Sequence, residues 1–322
     1  MKFAALALIL VLSGGSCAGP PPAAVRSAAA WPAGLPIYDH VVVVVEENKD
    51  YEQVIGNPEA PYLNRTLKAE GADLTRMFAE EHHSQGNYFW LLSGSNQGVG
   101  FFDVIPRRPI AAPNLAAALL AAGRSFKGYS EDLPAIGSKA NRDGLYARKH
   151  VPWASFSNLP PGSTATTSVN LRFADWPADF SELPTVAFVI PNLINDMHDG
   201  RIAEAVAAGD NWLAKNLDPY YRWAKDHNSL LIVTFDENSH GPAGLTRPAA
   251  ADPRRRNRIV TLLAGARVRH GEFGEGTGVT HVNLLRTLEA MYGLPPSGSQ
   301  QAHALAAGIP DDRIVTDVFL PP

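Results

Sequence analysis

The chain is expected to fold as an α/β domain in which a mainly parallel central sheet carries helices on both faces. Three observations predict it. Residues 41–45 (VVVVV) are a wholly β-branched apolar run, as a strand buried on both faces should be. Residues 185–190 (TVAFVI) and 229–235 (SLLIVTF) repeat that character. Between the last two lies a long amphipathic stretch, residues 211–226, so strand and helix alternate as parallel pairing requires.

Taken in order, the chain starts with Lys2 and an apolar run over residues 3–12. That run falls short of the roughly 20 residues a membrane span needs, but it suits the apolar segment of an export signal. Small residues lead up to Cys17, the only cysteine of the chain. The stretch resembles a bacterial lipoprotein signal, although no Leu stands three places before the cysteine. The reading is a signal over residues 1–16 and a mature chain that begins at a lipidated Cys17. This implies a periplasmic or outer-membrane lipoprotein; ordinary cleavage after Ala18 would instead give a secreted protein. Residues 17–36 are rich in Ala and Pro, with Pro20, Pro21 and Pro22 in a row, and read as an extended tether. Residues 37–322 then form a single domain.

Within it, residues 62–71 and 114–123 read as helices and residues 124–129 as a strand. Asp210 is placed as the cap of the helix over residues 211–226. Residues 258–264 (RIVTLLA) form a fourth strand, and residues 282–292 a helix closed by Gly293 and the Pro295–Pro296 pair. Residues 96–182 are irregular and punctuated by prolines; they are taken as an insertion or cap over one sheet edge.

Composition excludes several function classes. With 28 Lys+Arg against 32 Asp+Glu the formal charge is −4, so this is no basic, nucleic-acid-coating protein. A hydrophobic content of 45% is too high for a disordered chain. A single cysteine excludes a disulfide framework and any thiolate zinc site. No G-x-S-x-G elbow, GxxxxGK[ST] loop or HExxH helix is present.

Ligands of open parallel sheets bind beyond the carboxyl ends of the strands. Three strands here run into polar clusters: Glu46-Glu47-Asn48, then Pro191-Asn192 followed by Asn195-Asp196-Met197-His198-Asp199, and Asp236-Glu237-Asn238. One such ending is an ordinary turn; three point to a shared metal site. Glu47, Asn48, Asp236 and Glu237 offer only oxygen, which suits Mg²⁺, Mn²⁺ or Ca²⁺. Ser84, in HHSQGNY, precedes an apolar run that reads as a buried helix. It would lie near a helix amino terminus, where it is either a simple N-cap or a nucleophile beside an anion-binding position.

A resemblance decides between those two. The segments HVVVVVEENKDYEQVIGNPEAPYLN (residues 40–64), HHSQGNYFWLLSG (82–94), GYSEDLPAIGS (128–138) and YARKHVPWASFSN (146–158) resemble the bacterial phosphoesterase family of secreted acid phosphatases and phospholipases C. So do VIPNLINDMHDG (189–200), GDNWLAKNL (209–217), HNSLLIVTFDEN (227–238) and VTHVNLLRTLEAMYGLP (279–295), in family order. The resemblance implies an alkaline-phosphatase-like fold and metal-assisted phosphoryl transfer. It implies Ser84 as nucleophile and Glu47, Asn48, Ser84, Asp236 and Glu237 as metal ligands. Asn87, His82 and His281 would surround the phosphate, and a protonated His198 would assist the leaving alcohol, favouring mildly acidic pH. The implied activity is that of an acid phosphatase working through a phosphoserine, with phosphoinositides or other lipid phosphates as substrates. The alternatives are a phospholipase C-type phosphodiesterase and, from another class, a non-catalytic phospholipid-binding lipoprotein. Two features depart from the family pattern: His83 and Gln85-Gly86 stand where Pro-containing pairs are commoner, and Asn238-Ser239-His240 replaces further acids.

Overall fold

The structure is a computed structural model and describes residues 32, 34–99, 103–239, 257–274, 277–298 and 308–321. The expected export signal, Cys17 and most of the expected tether lie outside the described residues.

The main sheet has eight strands. In chain order they are β1 (His40–Glu46), β2 (Ala72–Leu74), β3 (Phe126–Ser130), β4 (Asn170–Arg172), β5 (Val186–Ile190), β6 (Ser229–Phe235), β7 (Thr261–Gly265) and β8 (Gly271–Phe273). Their spatial order is β8-β2-β7-β6-β1-β5-β3-β4. The run β6-β1-β5-β3-β4 is parallel throughout, and β7 alone is antiparallel to both of its neighbours. Residues 41–45 are all fully or almost fully buried. Since successive side chains of a strand point to opposite faces, both faces of β1 must be covered, as the valine run implies.

Two expected elements divide. The strand over residues 258–264 becomes a short Arg258–Ile259 piece paired with Met77–Phe78, followed by β7 in the main sheet. The helix over residues 211–226 is replaced by two, Ile202–Asn216 and Asp218–Ala224, broken ahead of Pro219. Asp210 therefore lies inside the first helix and does not cap it. Its carboxylate accepts the backbone N–H groups of Tyr62 (2.9 Å) and Leu63 (2.8 Å), so it caps the helical turn that enters residues 61–70 from across the fold.

Residues 96–182, expected as a cap over a sheet edge, themselves supply β3 and the edge strand β4. They also supply Trp153, whose indole lies on Gly128 of β3 and donates to Asn170 Oδ1 at 2.9 Å. A Cβ at Gly128 would come within 2.0 Å of the indole, so the strand must carry glycine there. No helix among the described residues is long and apolar enough to cross a membrane.

Candidate active site

β1 and β6 place the acidic residues. They pair in register from His40 opposite Ser229 to Glu46 opposite Phe235, so both chains leave the sheet at one level. Asp236 continues the ladder by donating its N–H to Glu46 O (2.9 Å). On the other side of β1, β5 ends at the same level, and the loop beyond it accepts the Glu47 N–H at Asp196 O (2.7 Å). Asn48 turns back with φ 51°, a left-handed conformation Asn adopts more readily than most residues. That turn aims its N–H at Asp236 Oδ1 (3.0 Å). The three strand ends read from the sequence thus meet at one point.

Ser84 is the first residue of a helix, Ser84–Ser93, whose ten residues are all buried. Its Oγ lies 3.1 Å from Glu47 Oε2 and 3.4 Å from Glu237 Oε1. Asn48 Nδ2 sits 2.6 Å from the same Glu47 oxygen. His82 places Nδ1 against Glu237 Oε2. Asn87 grips the main chain of Glu81, accepting its N–H (3.1 Å) and donating to its carbonyl (2.6 Å); one amide N–H of Asn87 is left over for a ligand. The Gln85-Gly86 departure has a steric reason. A Cβ at Gly86 would stand 2.0 Å from Glu81 Oε1, and that carboxylate is held in place by Asn96 Nδ2 (3.0 Å).

Of the expected phosphate and proton-transfer residues, His281 is engaged elsewhere and His198 lies at the rim of the site. His281, the first residue of the helix His281–Met291, is fully engaged: Nδ1 contacts Glu80 Oε2 (2.7 Å) and Nε2 contacts Phe235 O (2.8 Å). Burial opposes its charge, but Glu80 and the Phe235 carbonyl outweigh burial and raise its pKa. An imidazolium donating to both partners fits, so His281 braces the strand end that carries Asp236 and has no free nitrogen for a phosphate. His198 holds Asp199 Oδ1 (2.8 Å) with Nδ1 and is about one-third exposed. Its ring is 5.9 Å from that of His150, placing it at the rim of the site.

The structure adds residues that sequence patterns missed. Tyr88 donates to Glu47 Oε1 (2.7 Å) and stacks on His150 at 5.1 Å. His150 lies 3.1 Å from Glu47 Oε1 and 3.4 Å from Asp196 Oδ2. Neither approach is aligned as a hydrogen bond, which leaves His150 Nε2 and Asp196 Oδ2 buried without a partner; Asp236 Oδ2 is in the same position. Glu47, His150 and Asp196 each bring a donor atom within 4.8 Å of the others, a buried group able to hold a metal ion. Burial and the adjacent Lys149 hold the His150 pKa well below 6.5, so its ring is neutral and free to act as a ligand.

The electrostatics call for a cation. Burial, then Asp236 and Asp196, push Glu47 well above the usual carboxylate range. Burial and Glu237 push Asp236 up to about 7, and burial and Asp103 push Glu237 up to about 8. Orphaned polar atoms and raised carboxyls together fit a metal ion at the buried group of Glu47, His150 and Asp196, which shares only Glu47 with the expected ligand set. His150 brings a nitrogen donor, a type absent from the expected oxygen set.

Comparison with known proteins identifies the family. The Phosphoesterase family model matches residues 58–295. A phosphatidylinositol-3-phosphatase of Mycobacterium tuberculosis is 46% identical over 266 residues, which cover 83% of this chain and 81% of that one. A phosphate-repressible acid phosphatase of Penicillium chrysogenum is 29% identical over 274 residues, 81% of this chain but only 60% of the fungal protein. Among solved structures, a protein in the alkaline phosphatase superfamily from Vibrio parahaemolyticus superposes with a TM-score of 0.56 at 13% identity, covering 83% of this chain and 70% of that one. The lipoteichoic acid synthase LtaP of Listeria monocytogenes gives 0.54 at 13% identity, covering 85% and 78%. The fold is alkaline-phosphatase-like, and the chain belongs to the Phosphoesterase family, as a phosphoric-ester hydrolase.

Proposed function

We propose that the protein is an exported, metal-dependent phosphomonoesterase that acts on phosphoinositides or related lipid phosphates through a phosphoserine at Ser84. The observation that carries this reading is the position of Ser84 Oγ, at the first turn of a buried helix and between the carboxylates of Glu47 and Glu237. The substrate class is supported by the mycobacterial phosphatidylinositol-3-phosphatase, which this chain matches over most of both lengths.

A divalent cation bound by Glu47, Asn48, Ser84, Asp236 and Glu237 would supply Lewis-acid polarisation and lower the pKa of the serine hydroxyl. Ser84 then attacks phosphorus in line with the departing alcohol. The helix amino terminus and the remaining Asn87 N–H donate to the equatorial oxygens. His82 holds Glu237 in place from the side opposite Ser84. His198, at the rim, gives a proton to the leaving alkoxide, and Asp199 orients its ring. Water hydrolyses the phosphoserine in the second half of the cycle, releasing inorganic phosphate.

With an aryl phosphate and Mn²⁺, Ser84→Ala should lose about a thousandfold or more of kcat. Robust turnover by that variant would sink the nucleophile assignment. Products separate the enzyme classes: inorganic phosphate from a phosphoinositide marks a phosphomonoesterase, whereas phosphocholine from phosphatidylcholine marks a phospholipase C. Binding of either lipid without any product marks a non-catalytic binder. For export, Cys17→Ser should move the protein from the membrane to the soluble fraction; a wild-type protein already soluble would refute lipidation.

A further inference from the structure

Lys149 and Asp103 have no part in the chemistry above, yet both lie beside the nucleophile. Lys149 Nζ pairs with Asp103 Oδ2 at 2.7 Å, with side chains 29% and 18% exposed. The other oxygen, Asp103 Oδ1, accepts the backbone N–H of Gln85 at 2.7 Å. Gln85 directly follows Ser84, so one carboxylate bridges an ammonium group and a first-turn N–H next to the nucleophile. The same charges reach the metal-ligand carboxylates. Burial alone would lower the Lys149 pKa, but Glu47, Asp103 and Asp236 reverse that and raise it. Burial and Asp103 push Glu237 up, and Lys149 pulls it down. Lys149 also precedes His150, whose ring touches Glu47.

A carboxylate spanning an ammonium and a helix N–H occupies two donors that suit the oxygens of a phosphoryl group. It does so where Glu47, Asp236 and Glu237 already gather negative charge, so Asp103 is poorly placed for its own sake. We propose that Lys149 is a substrate-binding residue that takes a phosphoryl oxygen, and that Asp103 is its resident counter-ion, displaced when the phosphate group arrives. The inference rests on the reading of Ser84 as the site of phosphoryl transfer. It also bears on specificity. A phosphomonoester dianion replaces the charge of Asp103 and brings one more, whereas a diester monoanion brings no surplus, so Lys149 favours monoesters.

Inorganic phosphate binding to the Mn²⁺-loaded full chain, measured by calorimetry, tests this. Lys149→Met should weaken phosphate binding about tenfold or more and raise KM for an aryl phosphate, with a much smaller change in kcat. Lys149→Arg should restore most of that affinity. Asp103→Asn keeps an acceptor for the Gln85 N–H but removes the competing charge, so it should tighten phosphate binding several-fold, and only while Lys149 is present. The double variant should therefore bind no more tightly than Lys149→Met alone. Bound metal and melting temperature identify any variant that has merely lost its fold. Weaker or unchanged binding in Asp103→Asn, or a Lys149→Met variant that loses kcat while keeping phosphate affinity, would overturn the proposal. Turnover surviving in Ser84→Ala would refute the nucleophile, while the phosphate titrations would still judge Lys149 on their own.

Discussion

Removing the cation should destabilise the protein progressively as pH rises from 6.5 to 8.5. Asp236 is pushed from 3.8 to about 7 and Glu237 from 4.5 to about 8, and both are almost wholly buried. In the metal-free protein each holds its proton more tightly when folded than when unfolded. Across this window the native state therefore binds more protons than the unfolded state, and stability falls as pH passes through 7 and then 8. Integration gives about 1 kcal/mol for Asp236 and about 2 kcal/mol for Glu237, on the order of 3 kcal/mol together. At about 2–4 °C per kcal/mol for a domain of this size, that is roughly 6–12 °C in Tm. A bound cation keeps both groups ionised, so its stabilising increment should grow by a comparable amount. His150, held neutral in the folded protein, opposes the loss of stability slightly at the acid end of the window, where its unfolded imidazole, with an ordinary pKa of about 6.5, is still partly protonated. Thermal melts by circular dichroism at pH 6.5, 7.5 and 8.5, with chelator-treated and Mn²⁺-loaded protein, read the increment directly. An increment that stays constant or shrinks with pH would show that these carboxylates do not hold the ion.

Other expectations concern single side chains. Tyr88→Phe keeps the ring on His150 but removes the donor to Glu47, and should weaken Mn²⁺ binding about tenfold; an unchanged Kd by calorimetry would dismiss Tyr88 as an organiser of the site. Asp210→Ala strips two buried backbone N–H groups of their acceptor and should cost roughly 1–3 kcal/mol for each group left unpaired, read from the urea midpoint. Gly128→Ala drives a Cβ into the Trp153 indole and should cost at least about 1–3 kcal/mol; a wild-type midpoint would mean the indole moves aside freely.

The central strands were legible because burial on both faces demands an unbroken apolar run, and β1, β5 and β6 have one. The short strands Ala72–Leu74 and Asn170–Arg172 were not, since three residues carry no periodicity. Strand-end chemistry was equally legible for Glu47, Asn48, Asp236 and Glu237, whose meeting follows from parallel register. His150 carried no such signal: it ends a short 3₁₀ turn, Arg148–His150, far along the chain from the main-sheet strand ends that carry the acids. Asp196 stood in a quoted cluster, yet nothing local distinguishes it from its neighbours Asn195 and Asp199. The single helix read over residues 211–226 failed for a different reason. Apolar periodicity runs through Pro219, and only the restricted backbone of that residue breaks it. His281 was assigned by resemblance, which says nothing of the two partners that occupy its ring.

The shared register of β1 and β6 has a consequence for how such an enzyme can diversify. Glu47 and Asp236 are rooted in the most deeply hydrogen-bonded part of the sheet, so their amide protons should be among the last to exchange with solvent. The reacting centre is thus tied to global stability and has little freedom to drift. The loops within residues 96–182, such as the one that carries Asp103, answer to looser constraints. New substrates can be accommodated there by exchanging loops, while the chemistry stays anchored to a scaffold that opens only when the whole domain does.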